Sequence, residues 1–129
     1  MGLFDNLMGI SSDADPQKVV EQLASARVLL EGERVIHAFQ LYRDLAVFTD
    51  WRIISIDVQG MTGKKRSYQS IPYFSISRFS VETAGSLDRD AEIDIYLSSA
   101  TTPTLALEVR SDDAVIKIQQ LLAQRLRGS

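Results

Sequence analysis

With 129 residues, a formal charge of −3 and no cysteine, the chain is long enough for one domain with a core and too short for two ordinary ones. The lack of cysteine excludes disulfides, thiol nucleophiles and thiolate metal ligands together, and the acidic balance argues against general nucleic-acid binding, which needs a strongly basic face. Hydrophobic residues at 45% and charged residues at 24% describe a globular sequence that folds on its own, expected in the cytoplasm. No apolar run approaches a membrane span, and Met1 to Ile10 has neither the basic start nor the apolar length of a secretory signal. Met1-Gly2 opens like an acylation signal, but Asn6 stands where Ser or Thr is wanted.

Leu3, Phe4, Leu7 and Met8 recur at helical spacing, followed by a polar break from Ser11 to Asp15. That first stripe holds an Asp and no Lys or Arg, so packing on the domain or on a neighbouring subunit is favoured over lying on an anionic membrane. Asp15 then Pro16 reads as the cap and first residue of a helix, because proline lacks the N–H that this position leaves unpaired. Val19, Val20, Leu23 and Ala24 give its apolar stripe, and an end is expected near Leu30, before Glu31-Gly32-Glu33. Residues 1–30 are thus read as a helical extension and 31–129 as the domain proper.

From Arg34 the period changes to alternation, with Val35, His37, Phe39 and Leu41 on one face and Ile36, Ala38, Gln40 and Tyr42 on the other. The link Arg43-Asp44 leads directly into a hairpin, Leu45 to Asp50 and Ile53 to Val58, reversed at Trp51-Arg52. In its second arm Ile54, Ile56 and Val58 oppose Ile53, Ser55 and Asp57, the pattern of a half-buried strand. Gln59-Gly60 and Thr62-Gly63 supply turn glycines before Lys64, Lys65 and Arg66. The next strand, Arg66 to Ile71, stops at Pro72, which cannot donate to a ladder. Phe74 and Ile76 share one parity, Phe79 and Val81 the other, and a bulge or bend between Ser77 and Arg78 reconciles them.

Thr83 to Ser86 closes that segment. Ala91, Ile93, Ile95 and Leu97 form the cleanest alternation in the chain, and after a turn from Ser98 to Pro103, Leu105, Leu107 and Val109 form another. Asp112 and Asp113 start a helix and Arg125 and Arg127 end it, with Val115, Ile118, Leu122 and Leu126 as its buried stripe, Leu121 beside it and Gly128 as its cap.

Seven strands in succession with no helices between them cannot form a doubly wound fold, so the sheet must be antiparallel. The expected architecture is α+β: a seven-stranded antiparallel, partly open barrel capped by the C-terminal helix. The run RDLAVFTDWRIISID from Arg43 to Asp57, Gly60 to Lys65, Ile71-Pro72-Tyr73 and Ser80 to Gly85 together resemble the bacterial pleckstrin-homology domain family. The resemblance covers roughly Glu31 to Leu126. It implies a pleckstrin-homology-like barrel, a small cytoplasmic bacterial protein, a tendency to ring-shaped homo-oligomers, and no established activity or ligand. Many eukaryotic pleckstrin-homology domains hold phosphoinositides with lysines and arginines at the link between strands 1 and 2. Here that link is Arg43 beside Asp44, so phosphoinositide binding is not implied.

Candidate chemistry is sparse. Lys64, Lys65 and Arg66 are the one basic triplet and the candidate anion-binding residues, for a phosphate, an anionic lipid or an acidic partner, set against a merely solvated turn. Asp88, Asp90, Glu92 and Asp94 alternate onto one face where a hard cation would gather, but Ile93 and Ser99 stand where a calcium loop needs glycine and glutamate, and a solvated acidic face is the favoured reading. His37, the lone histidine, reads as a partly buried sheet residue, and no nucleophile constellation is present. Leu3, Phe4, Leu7 and Met8, with Trp51 and Arg52 at the hairpin reversal, are the candidate interface residues. The expectation is a non-catalytic interaction module without cofactor or metal. Its foremost partner is itself, as a homo-oligomer or ring, with an unidentified protein as a further candidate. The alternative is peripheral anionic-lipid or phosphate binding through the basic triplet, membrane contact being disfavoured and nucleic acid excluded.

Overall fold

The structure, a computed structural model, describes residues 12–13, 16–41, 44–59, 65–83, 91–109 and 112–127. In chain order its elements are β1 (Ser12–Asp13), α1 (Pro16–Ser25), β2 (Val35–Gln40), β3 (Asp44–Thr49), β4 (Arg52–Gln59), β5 (Lys65–Pro72), a 3-10 turn (Tyr73–Ser75), β6 (Ile76–Thr83), β7 (Ala91–Leu97), β8 (Leu105–Val109) and α2 (Asp112–Leu126). Neither helix is long and apolar enough to cross a membrane.

All strand pairings are antiparallel, and the barrel, expected as one partly open seven-stranded sheet, is not closed and is divided in two. The strands form two sheets, β1-β2-β3-β4-β5 and β6-β7-β8, and the consecutive strands β5 and β6 are not paired with each other. The cause lies at Pro72. It has no N–H for a ladder, and the residues after it are drawn back under the β3–β4 reversal. The Tyr73 N–H donates to the Trp51 carbonyl at 3.0 Å, and the Tyr73 hydroxyl donates to the Thr49 carbonyl at 2.6 Å. The chain therefore leaves the first sheet at a corner, and the register shift between Ile76 and Arg78 starts the second at the bend expected from side-chain parity.

Two apolar layers hold the fold. Between the sheets, Phe39, Phe48, Ile53 and Ile71 meet Ile93, Ile95, Leu107 and Val109, and α2 closes this core with Ala114, Val115, Ile118 and Leu122. Phe39 and Phe48 pack perpendicular to each other at 5.7 Å between centroids, the T-shaped arrangement that the ring quadrupoles favour. The second layer lies on the opposite side of the first sheet. There Ala38, Leu45, Val47, Ile54 and Ile56 are covered by Leu23 of α1 and by Val28 and Leu29 after it. The β4 strand is accordingly buried on both faces over Ile53 to Ile56, not half-buried as alternation suggested.

The end of α1 explains how that cover is placed. The helix stops at Ser25, not near Leu30, because Arg27 takes a left-handed φ of 59°. The Arg27 N–H donates to the Ala24 carbonyl at 3.0 Å and the Val28 N–H to the Leu23 carbonyl at 2.9 Å, the paired bonds of a Schellman termination. Val28 and Leu23 then fall into one apolar cluster, the contact that accompanies this termination. Residues 23–29 are thereby a layer of the domain.

Candidate interaction site

The β3–β4 reversal is built by Thr49. Its hydroxyl accepts the N–H of Trp51 at 3.2 Å and of Arg52 at 3.1 Å, fixing a two-residue turn. That geometry sends Arg52 inward. It is only 8% exposed, and its guanidinium donates from Nε to Glu33 Oε2 at 2.8 Å, from Nη2 to Glu33 Oε1 at 2.7 Å and to the Val28 carbonyl at 2.8 Å, and from Nη1 to the Ser70 hydroxyl at 3.0 Å. Arg52 is thus an internal clasp joining the segment after α1 to β4 and β5, in place of the exposed anchor that its turn position suggested.

Burial pushes the Glu33 carboxyl up, but hydrogen bonds from Arg52, from the Leu30 N–H and from Thr49, together with the Arg52 charge, outweigh it and hold the pKa at about 2. Gly32, with φ of 85°, permits the tight turn that lets Leu30 and Glu33 bond to each other. Trp51 is half-buried and carries the Arg52 guanidinium 4.6 Å from its ring centre. His37 is half-buried too, stacked on Phe39 at 4.5 Å between ring centroids.

The remaining sequence candidates divide. Leu3, Phe4, Leu7, Met8, Lys64, Asp88 and Asp90 lie outside the described residues. Lys65 begins β5 opposite Gln59, and Arg66 follows opposite Val58 with an exposed side chain. These two basic positions therefore belong to a strand and not to the turn before it. Glu92 and Asp94 do share a face of β7, which they occupy with Glu82 of β6 and Glu108 of β8, two carboxylates that spacing along one strand does not reveal.

One surface feature was not legible in the sequence. Phe74, in the 3-10 turn, is 87% exposed, whereas its neighbour Tyr73 is buried and burial pushes the Tyr73 hydroxyl pKa well up. Phe74 stands at the corner between β5 and β6, which are the outer strands of their sheets, and Tyr68 on β5 is exposed as well. An exposed aromatic side chain thus stands between two strands that are each paired on one side.

Residues 2–126 match the family described as Bacterial PH domain. The chain is 51% identical over 123 residues to the uncharacterized protein YjqA of Bacillus subtilis (strain 168), covering 95% of this chain and 97% of that protein. Two crystal structures share the fold. The DUF1696 family protein with a pleckstrin-homology domain from Shewanella loihica PV-4 has a TM-score of 0.77 at 36% identity, covering 92% of this chain and 98% of that one. The pleckstrin homology domain from Shewanella amazonensis SB2B has a TM-score of 0.73 at 42% identity, covering 97% and 98%.

Proposed function

Given that the chain belongs to the bacterial PH domain family, we propose that it is a non-catalytic interaction module that assembles with copies of itself into a homo-oligomeric scaffold. The observation that carries this reading is Phe74, 87% exposed at the corner where the outer strands β5 and β6 meet. A large exposed aromatic beside strand edges is what self-association by strand addition uses: main-chain bonds supply much of the affinity and the anchor supplies position.

Because β5 and β6 are different surfaces, joining the β5 edge of one copy to the β6 edge of the next is a head-to-tail contact. Such a contact closes into a ring when its rotation divides a full turn. The solution mass of the intact chain, compared with that of Phe74→Glu, tests this reading. A defined multimer that the substitution dissociates supports it, and a monomeric intact chain refutes it.

A further inference from the structure

The outward face of the second sheet carries an acidic group whose arrangement is not that of a solvated surface. Strand register sets Glu82, Glu92 and Glu108 side by side across β6, β7 and β8, and Asp94 follows Glu92 on the same face of β7. One carboxylate oxygen from each of Glu82, Glu92 and Asp94 lies within 4.8 Å of the other two. Like charges set opposite one another destabilise a sheet, and ordinary surface carboxylates relieve this by turning to water. Asp94 does not: it is 4% exposed, and its Oδ1 is buried with no hydrogen-bond partner. A buried carboxylate oxygen left unpartnered, on a side chain grouped with two other carboxylates, calls for a positive partner. A hydrogen bond between the Glu92 and Asp94 carboxyls raises the Glu92 pKa, with burial and the charges of Asp94, Glu82 and Glu108 adding to the rise, and leaves Oδ1 unpartnered.

We propose that Glu82, Glu92 and Asp94 form a binding site for a hard divalent cation of calcium size. The donors are all oxygen, which suits hard ions and not zinc or copper. Mg²⁺ demands near-ideal octahedral geometry and gives up its waters reluctantly, so three carboxylates drawn from two strands, with oxygens within 4.8 Å of one another, suit the more flexible coordination of Ca²⁺. Carboxylates take up the cation in their ionised form, so binding weakens as pH falls through the carboxylate range. The groups facing the site are these three, Glu108, and Arg78 and Tyr96 one cross-strand pair further along, where the guanidinium stacks over the phenol ring at 3.9 Å. This site does not depend on the oligomer proposed above.

The test is calorimetric titration of the full chain, stripped of metal by a chelator, with CaCl₂ and separately with MgCl₂ at neutral pH. The expected result is one saturable calcium site per chain with Kd between about 10⁻⁵ and 10⁻³ M and at least about tenfold weaker magnesium binding. Asp94→Asn and Glu92→Gln should each weaken calcium binding about tenfold or more, whereas Glu21→Gln on the exposed face of α1 leaves it unchanged. Should Asp94→Asn fail to fold, Glu82→Gln, an exposed position on the outer strand β6, carries the same expectation. No saturable calcium heat up to about 10 mM, or binding that survives these substitutions unchanged, overturns the proposal.

Discussion

Arg52 grips Glu33 with two parallel hydrogen bonds, at 2.8 and 2.7 Å, across a pair whose side chains are 9% and 1% exposed. This fork ties the turn after α1 to the hairpin reversal, and it is the geometry that a guanidinium makes and an ammonium cannot. Removing one partner strands the other as an unpaired buried charge. Arg52→Ala should therefore cost about 3 to 5 kcal/mol in denaturant unfolding, and Arg52→Lys should recover only part of it. A loss below about 1 kcal/mol for Arg52→Ala would show that the pair adds nothing beyond a surface bridge.

The same pair gives the domain an acid limb. The folded Glu33 pKa, about 2, is below its ordinary value of 4.5, so the carboxylate contributes stability that is full above pH 4.5 and is lost as pH falls from there towards 2. Unfolding free energy measured across that window should drop in the native chain and drop less in Glu33→Gln, which begins from a lower stability at neutral pH. Parallel slopes for the two proteins would contradict the assignment.

Arg27 holds a left-handed φ of 59° at the end of α1, a conformation that costs a residue with a Cβ about 1 to 2 kcal/mol and glycine almost nothing. Arg27→Gly should raise stability by about 0.5 to 1 kcal/mol, since glycine's larger unfolded-state entropy offsets part of the relief. A thermal melt that moves downwards would contradict the Schellman geometry.

The outer apolar layer makes a second packing claim. Ile54 is fully buried beneath α1, so Ile54→Ala should cost about 2 to 5 kcal/mol, as much as Leu122→Ala in the core between the sheets. A chain beginning at Glu31 should bind a hydrophobic dye such as ANS, because it lacks Leu23, Val28 and Leu29 over Ala38, Leu45, Val47 and Ile54, and lacks the Val28 carbonyl that Arg52 uses. If that shortened chain melts cooperatively at the native temperature, α1 is not part of the folding unit.

The strands β2 to β8, the break at Pro72, the bend before Arg78 and the stripe of α2 were legible in the sequence. Each follows from local alternation, helical spacing or a missing N–H. By contrast, β1 lies in what read as a polar break, and the hairpin turns at Asp50-Trp51, one residue before the expected Trp51-Arg52, with Arg52 already in β4. What was not legible depends on partners distant in the chain. A charged residue in a turn reads as solvent-facing, and what draws Arg52 inside is distant in sequence: Glu33, 19 residues upstream, with the Val28 carbonyl and the Ser70 hydroxyl. Alternation in β4 shows two faces but not that α1 covers the outer one. The helix end at Arg27 lacks the glycine that usually marks it. The split into two sheets turns on where the Tyr73 N–H finds its acceptor. Of the candidate site, the acidic positions of β7 were visible, but the burial of Asp94 and the exposure of Phe74 were not, because both are set by the tertiary surface.

The most direct measurement is the solution mass by light scattering after size exclusion, for the intact chain and for Phe74→Glu, over about a hundredfold range of concentration. The account predicts that the intact chain elutes as one defined multiple of 14.4 kDa and that Phe74→Glu, with unchanged circular dichroism, falls to the monomer. An intact chain that is monomeric at every concentration, or a substituted chain that keeps the full multimeric mass, would contradict self-assembly through the corner between β5 and β6.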